Sequence, residues 1–316
     1  MVLSRIAPYL TLLLALSLII GAVSAEQEKP IVVATTTVLG SVVEDLAGDQ
    51  VQLIVLVNPS ICPAHYDVKP SDAYAVSKAK LIFYHGMEGW LKQLYEASGS
   101  SAKLVRVSGG WTTPDGIESY YRRIAEALEK ELGIDVSDRL EARLRELKEV
   151  SEDILGEAER SRVSEVKVIV MSWQKGFVEW MGFDVVKEFG PPEKLSSADI
   201  EELIAAGREN GVGIVVSNLQ SGVEVGETIA RELGAVHIVL SNFPGTDPET
   251  KTLLDLMKHK SDKLLEAVKL LEVKRGLESA KAELELYEAI AYSLIAVALI
   301  EAAVIAYLGW RLRKLG

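Results

Sequence analysis

Short apolar runs alternate with amphipathic stretches along most of the chain, beginning near residue 30. In "PIVVATTTV" (30–38), β-branched residues follow a proline. The next stretch, "LGSVVEDLAGD", has helical spacing and ends at Gly48, which is followed by Asp49. Such runs are typical of buried strands, and the stretches between them are typical of helices. The clearest strand predictions are residues 30–38, 51–58, 80–85, 103–108, 165–172, 212–218 and 235–242.

The connections between these segments are short, which predicts parallel sheets covered by helices. One helix, "PSDAYAVSKA", follows the second strand, with Ser71 as a candidate N-cap. The alternation is interrupted at residues 139–162, where dense charge at helical spacing predicts a long, partly exposed helix. The predicted fold class is α/β, with two lobes that each have a central, mainly parallel β-sheet flanked by helices, joined by one long rigid helix. The predicted boundaries are 29–136 for the N-terminal lobe, 137–163 for the linking helix and 164–272 for the C-terminal lobe.

Both ends of the chain carry longer apolar segments. Residues 1–25 place Arg5 before an apolar core and end in small residues, which is the pattern of a secretory signal peptide. An uncleaved signal anchor is the alternative interpretation. Residues 289–310 supply roughly the 20 apolar residues that a transmembrane helix needs. The basic tail at 311–316 would hold that end in the cytoplasm.

These two signals predict a single-pass protein whose folded part lies on the extracellular or periplasmic face of the cell membrane. A charged spacer at 273–288 would connect the C-terminal lobe to the transmembrane anchor. Glu301 lies in the middle of the predicted span, where a carboxylate is costly and suggests a function. It either meets a partner membrane subunit or stays protonated within the anchor.

Composition narrows the function classes. The net charge of −12 argues against nucleic-acid binding. Cys62 is the single cysteine, so an intrachain disulfide is excluded, and no cysteine is available at the predicted cleavage site for a lipid anchor. The chain has no G-x-S-x-G elbow, P-loop, H-E-x-x-H or G-x-G-x-x-G opening a helix. We therefore expect a binding protein rather than an enzyme.

Ligands of open α/β sheets bind outside the carboxyl ends of the strands, so the residues that follow each predicted strand are candidates for a site. One such segment, "ICPAHYDVKPSD" (61–72), holds a cysteine, a histidine and two aspartates within twelve residues. It is either one corner of a metal site or a proline-rich turn. The other segments are "SGGW", "SWQ", "SNLQ" and "SNFPGTD", together with Thr35, Thr36, Thr37 and His85.

The first lobe resembles the zinc/manganese-type solute-binding proteins of ABC importers, the helical-backbone metal receptors. The resemblance is carried by "VVATTTVLGSVVEDLAGDQVQLIVLVNP" and "AHYDVKPSDAYAVSKAKLIFYHGMEGWL". It extends more loosely to about Leu271. It implies a protein that captures Zn²⁺ or Mn²⁺ between two lobes and delivers it to a membrane permease with its cytoplasmic ATPase.

The resemblance carries the metal ligands over only in part. His65 stands where the family has its first metal-binding histidine, and Asp247 is the candidate for the late aspartate ligand. Gly109 stands at the place of the second histidine. The third ligand is replaced by Ser172 or Trp173, and the family's "EPQ" reads "NLQ", which gives Asn218 beside Gln220.

Zinc and manganese sites of this kind need about four donors, usually imidazole and carboxylate. A rebuilt site would add His85 and Cys62 to His65 and Asp247. Taken alone, His85 is as well explained as a hydrogen-bonded turn residue and Cys62 as a small buried hydrophobe. Trp111 and Trp173 follow strands and would line the cleft with Asn218 and Gln220.

Three hypotheses follow from these residues. The leading one is a membrane-tethered solute-binding protein for zinc or manganese. The second is a diverged member that binds a non-metal small molecule, because aromatic side chains at a cleft suit an organic or cationic ligand. The third is a ligand-free surface interaction protein of the same fold.

Overall fold

The computed structural model describes residues 28–315, so the predicted signal peptide at 1–25 lies outside the described residues. The strands are β1 (Ile31–Ala34), β2 (Gln52–Val55), β3 (Leu81–Tyr84), β4 (Lys103–Arg106), β5 (Lys167–Met171), β6 (Asp184–Phe189), β7 (Ile214–Asn218) and β8 (Val236–Leu240). The helices are α1 (Thr37–Ala47), α2 (Pro70–Lys78), α3 (Leu91–Ala97), α4 (Pro114–Leu132), α5 (Ser137–Arg160), α6 (Ser172–Trp180), α7 (Ser197–Asn210), α8 (Glu224–Leu233) and α9 (Leu253–Leu315).

These elements form two compact units. The first unit comprises the described residues up to Gly109 together with Ser119–Arg143. The second unit comprises Gly110–Glu118 together with the residues from Leu144 onward. Each unit contains one four-stranded parallel sheet, and this confirms the predicted α/β fold class with two parallel-sheet lobes.

The sheet of the first unit has the strand order β2-β1-β3-β4. Val32, Val33 and Ala34 of β1 are fully buried, as expected for a central parallel strand that is covered on both faces. The strand ends at Ala34, and residues 37 and 38 of the predicted strand belong to α1 instead. Gly40 lets α1 approach β2, because a Cβ there would lie 2.5 Å from Cγ2 of Val55.

Helix α2 begins two residues earlier than an N-cap at Ser71 predicts. Pro70 occupies its first position, where the missing N–H is no loss. Asp72, rather than Ser71, satisfies the helix start, because its Oδ2 accepts a hydrogen bond from the Lys69 N–H at 2.7 Å. The prediction of Ser71 as N-cap is therefore wrong, since Ser71 lies inside the first turn.

The sheet of the second unit has the strand order β6-β5-β7-β8. Its core is formed by Ile169 and Met171 of β5, Val215 of β7, and the apolar faces of α7 and α8. Helix α7 starts with a capping box between Ser196 and Asp199, which gives it a defined beginning beside the sheet.

Helix α5 corresponds to the predicted linking helix at 137–163. It begins in the first unit and continues into the second, with the division between Arg143 and Leu144. In the first unit, Arg139 forms two hydrogen bonds with the carboxylate of Asp49 at 2.7 and 2.9 Å.

Helix α9 starts in the second unit and runs to the end of the described chain without a break. Its first turns are buried against the sheet, whereas every residue from Glu278 to Arg313 is exposed. The spacer predicted at 273–288 is thus helical. Within residues 28–315, α9 is the one helix that is long and apolar enough to cross a membrane, and its most apolar part is fully exposed.

Candidate functional site

The loop after β2 carries the predicted first metal ligand and is fixed to the two helices that follow it. A single 3-10 turn, Pro63–His65, is held by Trp90, whose Nε1 donates to the Pro63 carbonyl at 2.8 Å. The Trp90 ring also lies 5.3 Å from the Tyr66 ring. The Tyr66 hydroxyl donates to Asp72 Oδ2 at 3.0 Å, and burial together with this carboxylate raises the pKa of Tyr66 to about 12.

This arrangement leaves the two predicted donors of the loop accessible. His65 is exposed, and Cys62 is half-buried. Their side chains form no hydrogen bond with the residues that the structure describes. The backbone is ordered by Trp90 and Asp72, so the imidazole of His65 is presented by a fixed turn rather than by a free loop.

His85 lies at the carboxyl end of β3 in a different environment. It is only 3% exposed, its Nε2 lies 2.7 Å from Thr36 Oγ1, and its Nδ1 lies 2.9 Å from the Tyr120 hydroxyl. Burial lowers the pKa of His85 to about 4, although the nearby Glu88 carboxylate acts in the opposite direction. A metal would bind this imidazole only by displacing Thr36 or Tyr120.

Glu88 fixes the turn that follows His85. Its Oε1 accepts hydrogen bonds from Thr35 Oγ1 at 2.6 Å and from the His85 N–H at 3.0 Å, and its Oε2 accepts one from the Gly86 N–H at 2.7 Å. Three donors satisfy this buried carboxylate, which is the condition for burying a charge at tolerable cost. Glu88 was not among the predicted site residues, although its place three residues after a strand-end histidine is a usable signal.

In the second unit, three of the four predicted cleft-lining residues are connected through Asn242, which follows β8. The Asn242 carbonyl accepts a hydrogen bond from Trp111 Nε1 at 2.7 Å, and its Nδ2 donates to the Trp173 carbonyl at 2.9 Å. Gln220 lies beside it, with Nε2 donating to Ser241 Oγ at 2.9 Å. We call this set the Asn242 cluster: Trp111, Trp173, Gln220, Ser241 and Asn242.

The tryptophans of the Asn242 cluster are placed differently. Trp111 packs on Phe243, with ring centroids 5.8 Å apart, whereas the Trp173 side chain is 57% exposed. Asn218 is buried at the end of β7 and accepts a hydrogen bond from Ser221 Oγ at 2.9 Å. Trp173 is therefore the member of this group with a large surface open to a ligand.

Two buried polar side chains next to the Asn242 cluster were missed by the sequence analysis. Lys260 of α9 is 1% exposed, and its Nζ donates to Asn242 Oδ1 at 3.1 Å. Gln174 of α6 is fully buried and donates to the Leu240 carbonyl at 3.1 Å, while its Oε1 has no hydrogen-bond partner among the described residues. Lys260 occupies a position in α9 where helical spacing calls for an apolar residue, but such a lysine usually extends its charge to the surface, so the sequence gives no signal of its burial.

Asp247 lies further along the loop after β8. It is partly exposed, and its Oδ1 accepts a hydrogen bond from the Glu249 N–H at 3.1 Å. Its carbonyl also accepts from Thr250, so the residue closes a turn. The remaining carboxylate oxygen has no hydrogen bond to another described residue.

A site for zinc or manganese needs about four donor side chains close together. Among the described residues of either unit, no three His, Cys, Asp or Glu side chains converge closely enough to hold an ion. Cys62, His65 and His85 belong to the first unit, and Asp247 belongs to the second. Neither unit alone assembles the set, and the four-residue site stays a prediction.

The model of one protein family matches residues 32–267, which is most of the chain. That family is described as ZnuA, the periplasmic component A of a zinc-uptake complex. The chain belongs to the ZnuA family. The predicted resemblance to metal-type solute-binding proteins is thereby confirmed.

Individual relatives agree with this membership. The chain is 26% identical over 269 residues to the manganese-binding lipoprotein MntA of Halalkalibacterium halodurans, covering 73% of this chain and 86% of the relative. It is 26% identical over 128 residues to the manganese ABC transporter substrate-binding lipoprotein PsaA of Streptococcus pneumoniae. That second match covers 37% of this chain and only 40% of the length of PsaA.

The fold comparison leads to the same architecture. The periplasmic zinc-binding protein TroA of Treponema pallidum superposes with a TM-score of 0.66 at 19% identity, covering 76% of this chain and 99% of TroA. At this identity the likeness supports the fold alone. PsaA is named as a substrate-binding protein, and MntA as a metal-binding one. Membership of the ZnuA family therefore agrees with the prediction of a binding protein rather than an enzyme.

Proposed function

We propose that this chain is the membrane-tethered substrate-binding component of an ABC importer and that its substrate is a divalent transition metal, zinc or manganese. The observation that carries the proposal is the family match over residues 32–267. The proposed partners are a membrane permease and its cytoplasmic ATPase. The relatives named above as manganese-binding lipoproteins support the metal class.

His65 is the proposed first ligand. Its imidazole is exposed on an ordered turn, and imidazole is the commonest metal ligand in proteins and suits zinc in particular. Cys62 lies three residues earlier on the same turn, and Asp247 offers a carboxylate with a free oxygen. His85 completes the proposed set only after releasing the hydrogen bonds of its ring.

Helix α9 is the proposed tether. Its apolar part at 289–310 has the length of a membrane span, and the basic residues Arg311, Arg313 and Lys314 follow it. We propose that this end lies in the cytoplasm and that both units lie outside the cell or in the periplasm. The helix would hold the protein at the membrane, a role that a lipid anchor plays in lipoprotein relatives.

The tether is tested by ending the chain before residue 289. The full chain is expected to remain with membranes after a high-salt wash, whereas the shortened chain is released into the soluble fraction. A double substitution, Arg311→Gln with Arg313→Gln, is the control that alters charge but keeps the apolar span. Release of the full chain by salt alone would contradict an inserted helix.

The metal is tested by titrating the full chain, stripped of metal in detergent, with Zn²⁺ and Mn²⁺ in a calorimeter. A dissociation constant tighter than about 1 μM that is lost in His65→Ala is the expected result. His259→Gln, which removes a partly exposed histidine of α9, is the matched control and should bind like the wild type. Tight binding that survives His65→Ala would show that His65 is not a ligand and that the metal site lies elsewhere.

A second candidate is a non-metal small ligand, and one observation favours it. The strand ends of the second unit present amides and an exposed tryptophan, with the buried Lys260 of α9 behind them, rather than the imidazoles and carboxylates that metals prefer. A small molecule that changes the tryptophan fluorescence of metal-free protein, in a Trp173-dependent manner, would support this candidate. Absence of binding by both metals and small molecules would instead favour the ligand-free interaction protein.

A further inference from the structure

Lys260 is an unusual residue for the interior of the second unit. Its ammonium donates one hydrogen bond to Asn242 Oδ1 at 3.1 Å and lies 4.4 Å from the centroid of the Phe177 ring. Among the described residues, no carboxylate pairs with it. Lysine is seldom fully buried without a charged partner, because removal of an ammonium from water is expensive.

Burial lowers the pKa of Lys260 to about 7, from its ordinary value near 10.5. The cause is loss of hydration alone, with no neighbouring charge contributing. Strongly perturbed groups are concentrated at functional sites, because a structural position would be filled more favourably by an apolar residue. The buried ammonium of Lys260 therefore indicates a functional role for this residue in the second unit.

The charged groups on the elements around Lys260 have other partners. On α6, Lys175 pairs with Glu179 at 3.7 Å and with Glu188 of β6 at 2.9 Å. On α9 itself, Asp262 interacts with Glu157 and His259. In the loop after β8, the Asp247 carboxylate accepts from the Glu249 N–H. The groups that contact Lys260 directly, Asn242 and Phe177, do not titrate.

Asn242 transmits the state of Lys260 to two separate segments. Its side-chain amide is oriented by Lys260 at Oδ1 and by the Trp173 carbonyl at Nδ2, so loss of one contact weakens the hold on the other. Its own carbonyl receives the indole N–H of Trp111. Trp111 belongs to the segment Gly110–Glu118, which groups with the second unit although the chain on both sides of it belongs to the first.

We propose that Lys260 is a positioning residue that locks Asn242, and with it the segments of Trp111 and Trp173, and that this lock tightens when the ammonium loses its proton. A hydrogen bond from an ammonium is stronger than one from a neutral amine. The attraction between the ammonium and the Phe177 ring also disappears with the charge. Burial outweighs both interactions, because it lowers the pKa of Lys260 overall, so protonation favours an opening that returns the ammonium to water. The Asn242 cluster is therefore tighter above neutral pH than below it.

The inference rests on the proposed function in one respect, because it takes the Asn242 cluster to face the ligand. Under that proposal, protonation of Lys260 sets how firmly the ligand-facing segments are held, and thus couples ligand capture to the pH outside the cell. The positioning itself is independent of which ligand binds.

Two substitutions separate the hydrogen bond of Lys260 from its charge. Lys260→Gln keeps an N–H donor for Asn242 and cannot titrate near neutral pH. Lys260→Met keeps most of the length of the side chain but removes both the donor and the charge. Lys258→Met, at an exposed position two residues earlier, is the matched control.

The readout is amide hydrogen exchange of the full chain in detergent at pH 6 and pH 8.5, corrected for the intrinsic exchange rate. In the wild type and in Lys258→Met, protection of residues 110–118 and 241–252 should rise about tenfold from pH 6 to pH 8.5. In Lys260→Gln and Lys260→Met it should not change with pH, and it should be lower in Lys260→Met than in Lys260→Gln. Equal or lower protection of the wild type at pH 8.5 would overturn the inference, as would a pH-dependent rise that persists in both Lys260 variants.

Zinc titration of the same samples separates this inference from the proposed function. If zinc does not bind but the pH-dependent change in protection is present and depends on Lys260, the metal proposal fails and the positioning role stands. If zinc binds through His65 but protection does not respond to pH, the positioning role fails and the metal proposal stands.

Discussion

His85 lies at the end of β3 with both ring nitrogens hydrogen-bonded, and burial lowers its pKa to about 4. In the unfolded chain the same imidazole titrates near its ordinary value of about 6.5. Between these two values the unfolded state binds more protons than the folded state. The contribution of His85 to stability is therefore complete above about pH 6.5 and is lost as the pH falls towards 4.

We predict that His85→Gln flattens the acid side of the stability profile. Urea unfolding of the full chain in detergent, from pH 7 to pH 4.5, should give a smaller loss of unfolding free energy in the variant than in the wild type. The difference in slope approaches about 1.4 kcal/mol per pH unit between the two pKa values. His237 titrates in both proteins and cancels. Parallel slopes would mean that Thr36 and Tyr120 do not hold a neutral imidazole.

Single residues also show where sequence reasoning reached its limit. His65 and Asp247 could be proposed from a family pattern, whereas Asn242 and Lys260 could not. A lysine in the apolar stripe of a helix usually extends its charge to the surface, so its spacing alone predicts nothing about a buried ammonium. Only the packing of Phe177 and Asn242 around the side chain identifies Lys260 as internal.

At the scale of elements, the start of α2 determines how the His65 turn is presented. Asp72 accepts hydrogen bonds from the Lys69 N–H and the Tyr66 hydroxyl, so one carboxylate secures the helix start and the preceding loop together. We predict that Asp72→Ala lowers the unfolding free energy by about 1–3 kcal/mol, because it removes a cap and leaves a buried hydroxyl unpaired.

Ser71→Ala is the matched control for this prediction. Ser71 lies in the same turn and is exposed, so the substitution should change the unfolding free energy by less than about 0.5 kcal/mol. Chemical denaturation of the two variants at pH 7 makes the comparison. A larger effect for Ser71→Ala than for Asp72→Ala would restore Ser71 as the N-cap.

Most strands and helices could be predicted because parallel strands are nearly continuous apolar runs. β1 and β5 are examples, and both are buried in the centres of their sheets. The ends of these elements were less predictable. Residues 35–38 were predicted as part of β1 because threonine and valine favour strands, yet the helix α1 begins at Thr37. The continuity of α9 through 273–288 was not foreseen, although the alanine, leucine, glutamate and lysine residues there favour a helix.

At the scale of the whole molecule, the chain has two parallel-sheet units, belongs to the ZnuA family and ends in a helix that is long and apolar enough to cross a membrane. The first unit supplies an exposed histidine on a fixed turn, and the second supplies a cluster of amides and tryptophans around Asn242. The central claim is that this chain captures a divalent transition metal with His65 as its first ligand.

The most direct measurement of that claim is the metal content of the full chain at equilibrium. Stripped wild-type protein in detergent is dialysed against Zn²⁺ or Mn²⁺ buffered by a chelator at about 1 μM free ion, and bound metal per chain is counted by mass spectrometry. We predict close to one bound ion per wild-type chain and a large loss of bound metal in His65→Ala. No bound zinc or manganese in the wild type, with the protein folded, would contradict it.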